Sequence, residues 1–382
     1  MTKKMAGARM ARAMVALACG AAALAAHAQG WVVGQVAPLT GVNATHGRAY
    51  AEGMRMAFEQ ANKAGGVQGQ AVRLVTLDDA GHPEATVAKT RELLEKSRPV
   101  LLAGYFGNRN LMALMDSKLL EQQQIPLIGY QSTDTRVLAA PQIFSTRAGL
   151  SEEMGKIATH LSTVGITRLA LVYEERTDAP ELIRAVTQAV QPAGAKLVAS
   201  SPVRAGGGVL EKAVQSLQAA QETPQALLVV ASSAVTSAFV ETYRIGGGTA
   251  QIYVNSEADI EQLAKRLPVE FMSGLSIAQV VPSPYKVNMR LNKEFRDVVA
   301  EKGQALSMPV GYTMMEGYVN GKVVLEALRR SQPVAREKVA GALRGMDALD
   351  LGGYWVGFKP GSQMGSRYVD LSIVNASGRV TH

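Results

Sequence analysis

The residues of this chain that could do chemistry are plentiful but poorly spaced for catalysis. Its five histidines are His27, His46, His82, His160 and His382, and none stands in an HExxH or other metal-ligand spacing. No GxSxG elbow is present to expose a nucleophile. No GxGxxG follows the first apolar stretch, so dinucleotide binding has no support. Gly317 to Lys322 resembles a phosphate loop but is one residue short and falls within a helix-period segment. Asp78 and Asp79 are adjacent carboxylates at the end of an apolar run, where capping a neighbouring turn is a plainer role than acid–base work. Catalytic triads can be scattered in sequence, so these absences argue only weakly against an enzyme. They lean toward a protein that holds a ligand without transforming it, and no cofactor is implied.

The elements that must position these residues alternate between strand and helix. Trp31–Ala37 is strand-like. Tyr50, Met54, Ala57, Phe58 and Ala61 recur on one helical face. Gly65 and Gly66 stop that helix, because glycine accepts the left-handed position after a C-terminus. Val72–Leu77 reads as the second strand and Pro83–Lys96 as the second helix, with proline in its first turn. Val100–Ala103 and Pro126–Ile128 read as short buried strands around an Asn110–Gln122 helix. The pattern restarts after Gly149, with strands expected at Arg168–Tyr173, Lys196–Ser201, Leu227–Ala231, Ile252–Val254 and Leu275–Val280. Pro282 and Pro284 interrupt it. Helices follow near Val287–Lys302, Pro309–Arg330 and Ala335–Gly345, and Gly352–Phe358 with Tyr368–Val374 suggests a terminal hairpin around Pro360-Gly361. Strand–helix alternation of this kind gives parallel sheets. The expected fold class is therefore α/β, a pair of parallel-sheet lobes, although no residue-level repeat is visible.

Composition narrows the setting. Lys3, Lys4, Arg9 and Arg12 precede the nearly unbroken apolar run Met14–Ala26 and an A-x-A site at Ala26-His27-Ala28, the layout of a secretory signal cleaved after Ala28. The run is shorter than the roughly 20 residues that a membrane span needs. Cleavage would remove four positive charges and no negative ones, lowering the formal net charge from +8 to +4. No basic cluster interleaved with aromatics survives, so nucleic acid is not an expected partner. Cys19 is the single cysteine and lies in the signal, so the exported chain must rely on its core without disulfides.

The run PLTG after the first strand, the stretch AFEQANKAGGVQGQAVRLVTLDDAGHPEATV and the later IPLIGYQSTDT together resemble the leucine/isoleucine/valine-binding type of periplasmic solute-binding protein. The resemblance spans nearly all of the chain after the signal. It implies two Rossmann-like lobes joined by a three-crossing hinge, with lobe one at 29–148 plus 282–350 and lobe two at 149–281 plus 351–382. It also implies a periplasmic monomer that captures a small amino acid or related organic carboxylate in the interlobe cleft and delivers it to the membrane permease of an ABC importer. A ligand sensor of the same fold, or a binder of a neutral amide or aromatic acid, is the alternative.

Ligands of parallel α/β sheets bind beyond the carboxyl ends of the strands. That rule selects Thr40–His46, Tyr105–Asn110, Tyr130–Asp134, Tyr173–Arg176, Ala231–Ser233 and Asn255–Glu257. The resemblance assigns roles within them. Asn108 stands where relatives use a serine for the ligand carboxylate, and Arg109 beside it could clamp that carboxylate bidentately. Ser132 and Thr133 match the amide-and-hydroxyl loop. His46 takes the place of an aromatic ring, Tyr105 and Tyr130 are candidate walls for an apolar side chain, and Tyr173 ends its strand at the cleft mouth. On the second lobe Ser232 lies where relatives carry a tyrosine, and Glu257 is the candidate partner for a ligand ammonium, with Glu174 or Asp178 as substitutes. A buried ammonium needs such a partner, because an unpaired buried charge is very costly.

Overall fold

A computed structural model of the chain describes residues 30–134, 136–137, 140–206, 208–359, 361–375 and 380–381. The export signal expected over 1–28 lies outside the described residues. No helix among them is long and apolar enough to cross a membrane.

Trp31–Ala37 (β1), Val72–Asp78 (β2), Leu101–Phe106 (β3), Leu127–Gln131 (β4) and Ile143–Phe144 (β5) form one sheet in the order β2-β1-β3-β4-β5, with every pairing parallel. Arg168–Glu174 (β6), Lys196–Val203 (β7), Ala226–Val230 (β8), Gln251–Val254 (β9) and Leu275–Gln279 (β10) form a second parallel series in the order β7-β6-β8-β9-β10. The two orders are the same, so the duplication that no residue repeat reveals is present in the topology. β3, β4 and β8 are buried at every position, as strands covered on both faces must be.

Two expectations are corrected. The Asn110–Gln122 segment is not one helix; it splits into Asn108–Asp116 and Leu119–Gln122, with Lys118 between them in the left-handed region at φ 58°. The terminal hairpin does not form as read. Leu349–Asp350 (β11) instead pairs with Trp355–Val356 (β12). Gly352 and Gly353 turn between these strands at φ 96° and 101°, and both donate to Asp350 Oδ1. Asp370–Val374 (β13) adds antiparallel to the open edge of β10, and Val380–Thr381 (β14) adds to β13. An available sheet edge outcompetes a local partner across a long loop.

Asp78 and Asp79 are structural. Asp78 Oδ1 accepts the amides of Leu39 and Ala80, each at 2.8 Å, and its Oδ2 accepts the Thr40 hydroxyl at 2.6 Å. Asp79 accepts the Gly81 amide at 2.8 Å and the Thr86 hydroxyl at 2.7 Å. The phosphate-loop lookalike is likewise explained by packing. It lies inside the Tyr312–Arg330 helix, which crosses the Ala44–Lys63 helix at close range. A Cβ on Gly317 would sit 2.1 Å from the Tyr50 carbonyl oxygen, and one on Gly53 would sit 2.0 Å from that of Met314.

The chain crosses between the two sheets three times. Tyr354, fully buried on the third crossing, shares its hydroxyl hydrogen between the carbonyl oxygens of Thr146 on the first (2.8 Å) and Val280 on the second (3.0 Å). Before β13 the last crossing stays beside the first sheet, where Phe358 stacks edge-on to Phe144 with centroids 5.2 Å apart. Away from the hinge, the start of the Ile260–Arg266 helix meets the start of the Tyr312–Arg330 helix. Thr313 donates to Asp259 at 2.8 Å, and Glu261 accepts the Tyr285 hydroxyl and the Tyr312 amide. Burial first, then the neighbouring Asp259 carboxylate, pushes Glu261 up to about 8.

Two predictions test this packing. Gly317→Ala or Gly53→Ala should destabilise the fold by about 1–3 kcal/mol through overpacking, against the intrinsic helix gain from alanine. Gly341→Ala, where no atom lies within 4 Å of the new Cβ, should instead stabilise by about 0.5–1 kcal/mol; urea denaturation measures both. The second concerns pH. Because the folded pKa of Glu261 is raised, the folded chain binds this proton more tightly than the unfolded chain does. The stability it confers is complete below the ordinary carboxylate range and declines as pH rises toward about 8. Glu261→Gln should flatten that part of the stability–pH curve, and an unaltered slope in denaturation series across the interval would contradict the assignment.

Candidate functional site

Open α/β sheets accept ligands where the strand order reverses, which here is between β1 and β3 and again between β6 and β8. Those two places face each other across a cavity of about 640 Å³, within the range of small-molecule sites. Each of the six loops selected from sequence contributes to its lining.

On the first lobe, Pro38, Asn43 and His46 come from the loop after β1 and the helix start that follows. His46 is buried, and burial holds its imidazole below the ordinary range, against the raising effect of Asp259, whose Oδ2 lies 3.7 Å from Nε2. After β3, Gly107 at φ 92° turns the chain into the Asn108–Asp116 helix, presenting Asn108 and Arg109 to the cavity. The Asn108 Oδ1 accepts the Ser132 hydroxyl at 2.6 Å and the Thr133 amide at 3.0 Å. Asn108 thus anchors the loop after β4, and its amide nitrogen has no bond to a described residue. Arg109 is exposed and has neither hydrogen bond nor ion pair among the described residues.

On the second lobe, Glu174 accepts the Ser232 amide at 2.9 Å. The Ser232 hydroxyl makes no hydrogen bond to a described residue. Glu257 is half-buried on the cavity wall. Burial raises its carboxyl above the usual range, against the charges of Arg176 and Arg147 and a hydrogen bond from Thr133. Two lining pairs were not anticipated as such. Arg176 forks onto Asp178 with two bonds of 2.6 Å and donates across the cleft to the Thr133 hydroxyl at 2.8 Å. Arg136 forks onto Asp134 with bonds of 2.9 and 2.5 Å. Burial alone would raise Asp134, but the bonds from Arg136 and the charges of Arg136 and Arg176 leave it below the usual range. The signal was present in the sequence as Asp134-Thr135-Arg136 after β4 and its mirror Arg176-Thr177-Asp178 after β6.

The cavity thus brings together His46, Asn108, Arg109, Ser232 and Glu257. Ser132 and Thr133 stand just behind its surface; Ser132 caps its turn by accepting the Asp134 amide at 3.1 Å. The two expected wall tyrosines, and Tyr173 expected at the cleft mouth, lie elsewhere. Tyr105 and Tyr130 are buried on the outer side of the first sheet with Leu102 and Leu127, and the Tyr105 hydroxyl meets that of Thr90 at 3.0 Å. The reason is local. Gly104 and Gly129 adopt φ 70° and 69° at matching positions of β3 and β4, and each breaks the strand alternation just before its tyrosine. Tyr173 packs into the core of the second lobe.

Chemically the arrangement can hold a small molecule with a carboxylate toward Asn108 and Arg109 and a hydrogen-bond donor toward Glu174 and Glu257. No group of histidine and carboxylate side chains suited to a metal occurs among the described residues.

Comparison with known proteins agrees with this architecture. A substrate-binding periplasmic protein from Ralstonia solanacearum superposes with a TM-score of 0.82 at 32% identity, covering 92% of this chain and 99% of that one. An extracellular ligand-binding receptor from Verminephrobacter eiseniae gives a TM-score of 0.83 at 25% identity, covering 92% of this chain and 100% of the other. An amino acid binding protein from Pseudomonas aeruginosa is 26% identical over 170 residues, 44% of this chain and 45% of that protein, so the match spans less than half of this curated relative. The pattern of the family described as periplasmic binding protein matches residues 30–376, nearly all of the described fold, and the chain belongs to that solute-binding family.

Proposed function

We propose that this chain is exported to the periplasm, captures a small amino acid or related organic carboxylate between its lobes, and delivers it to an ABC permease as a monomer. The observation that carries this reading is the uneven charge of the cavity wall: on the first lobe Arg109 and Arg136 are balanced by Asp116 and Asp134, whereas on the second Glu174, Glu175, Asp178 and Glu257 outnumber Arg176. The first lobe offers the free Asn108 amide, the unpaired Arg109 guanidinium and the start of a helix, whose dipole favours an anion. The second lobe offers the carboxylates of Glu174 and Glu257, which favour an ammonium. The lobe limits read from sequence, 29–148 plus 282–350 and 149–281 plus 351–382, belong to the same proposal. They are supported by the confinement of the first sheet to Trp31–Phe144 and of the second to Arg168–Gln279 with the strands after Asp370.

A second reading, a carboxylate without an amine or a neutral amide, is favoured by one observation: burial raises the Glu257 carboxyl, which makes its protonated form more accessible. One substitution separates the two. Glu257→Gln should weaken an amino-acid ligand by about tenfold or more, the loss of a charge-assisted bond; affinity unchanged in calorimetric titration would select the second reading.

Thr133→Ala should weaken any ligand about fivefold, because it removes the acceptor of the Arg176 bond that spans the cleft, a contribution of about 1 kcal/mol to the closed form. An unaltered dissociation constant would remove Thr133 from the site. Saturating ligand at about 100 times its dissociation constant should stabilise the wild-type fold by about 2.7 kcal/mol. A thermal-shift panel of amino acids, aromatic acids and amides that moves nothing at millimolar concentration would overturn the function itself.

A further inference from the structure

We propose, building on the reading above, that the distal part of the ligand is polar, able both to donate and to accept hydrogen bonds, and that the facing pairs Asp134–Arg136 and Arg176–Asp178 recognise it to the exclusion of branched aliphatic side chains. The two pairs line the cavity from opposite lobes. Each is a two-bond fork between residues two apart, and their sequence order is mirrored. They are also coupled across the cleft: the charge of Arg176 acts on Asp134, and that of Asp178 on Arg136.

A guanidinium carries five N–H donors. Arg176 commits three of them, two to Asp178 and one to Thr133, and so keeps two. Arg136 commits two of its side-chain donors to Asp134 and keeps three. The carboxylates retain lone pairs beyond the fork. A ligand group held here therefore meets donors and acceptors together on both lobes. An aliphatic group would strip water from these donors and carboxylates and return nothing, so each polar group left unmet would cost affinity. Sites built to hydrogen-bond a substrate reject analogues that lack the matching group.

Few large apolar side chains are offered to a leucine-like group. Phe106, Met112 and Val230 are the large apolar side chains on the wall, whereas Tyr105, Tyr130 and Tyr173 all turn into cores.

The test uses pairs of amino acids matched in shape. The full exported chain, freed of any carried ligand by unfolding and refolding, is titrated calorimetrically with glutamine against methionine and asparagine against leucine, with glutamate and arginine as charged comparators. The expected result is that at least one polar member binds at least tenfold more tightly than methionine and leucine. Methionine or leucine binding as tightly as every polar member would overturn the inference while leaving the amino-acid reading intact. Binding by none of the six would overturn the amino-acid reading, and the inference with it. The double substitution Arg176→Leu with Asp178→Leu removes one pair with no change of net charge, and should bring the polar-to-apolar affinity ratio toward one. A ratio that stays at its wild-type value would show that the pair does not recognise the ligand. The wild-type titration decides the matter independently should the double variant fail to fold.

Discussion

The guanidinium of Arg147 is the interaction around which the molecule is organised. It is buried on the first crossing between the sheets. It lies 3.5 Å from Glu316 of the Tyr312–Arg330 helix and 3.5 Å from Glu153 of the Leu150–Thr163 helix, and it donates to the Ser256 hydroxyl. The network extends both ways. Gln131 at the end of β4 donates to Glu316 at 3.0 Å, and Glu153 accepts the Ser256 amide at 2.7 Å. One cation thus ties the last residue of a first-lobe strand to the loop that carries Glu257. Breaking a buried pair by removing one partner typically costs about 3–5 kcal/mol, because the other charge is left uncompensated. The contacts farther from the hinge are of another kind. Arg176 to Thr133 is a single hydrogen bond to a hydroxyl, worth about 1 kcal/mol, while Asp259 and Glu261 together accept from Thr313, Tyr285 and Tyr312.

A buried ionic centre with hydrogen-bonded contacts beyond it suits the proposed capture of a ligand between the lobes. A ligand shifts an open–closed equilibrium only by its differential affinity for the two states. The interlobe bonds set the starting bias, and new hydrogen bonds from a ligand touching both walls would add to the closed side. The shared strand order makes this geometry possible. Each sheet opens at its own reversal point, and the hinge turns the two openings toward one another. Asn108 and Glu257, far apart in sequence, thereby address one cavity.

Much of the fold was legible in the sequence because continuous apolar strands and one-faced helices are local signals. Pro83–Lys96 begins and ends where its proline and spacing place it. The rule that ligands meet the carboxyl ends of parallel strands selected six loops, and all six reach the cavity. What the sequence concealed depended on non-local facts. The glycines before Tyr105 and Tyr130 read as ordinary strand residues; their positive φ follows from their side-by-side packing against Tyr50, Gln35 and Asn320. The fate of β13 depended on an edge of β10 being free. The charged pairs Asp134–Arg136 and Arg176–Asp178 were visible as residues, but their mirrored placement acquires meaning only when two lobes face each other.

The side chains around the cavity sort by whether the fold already uses them. Asp134, Asp178, Ser132 and the Asn108 carbonyl oxygen are tied into turns or forks, and these bonds hold the loops in place. The Asn108 amide, the Arg109 guanidinium and the Ser232 hydroxyl have no bond to a described residue, and Glu257 carries a carboxyl that burial pushes toward its neutral form. A polar group left without a partner is tolerable where water reaches it and costly where water is excluded. Closure of the lobes would exclude water from these few groups, so a closed state is favoured when a ligand supplies the missing partners. Under the proposed function, selectivity arises from what closure would otherwise leave unsatisfied, in these groups and in the donors that the Asp134–Arg136 and Arg176–Asp178 forks keep free.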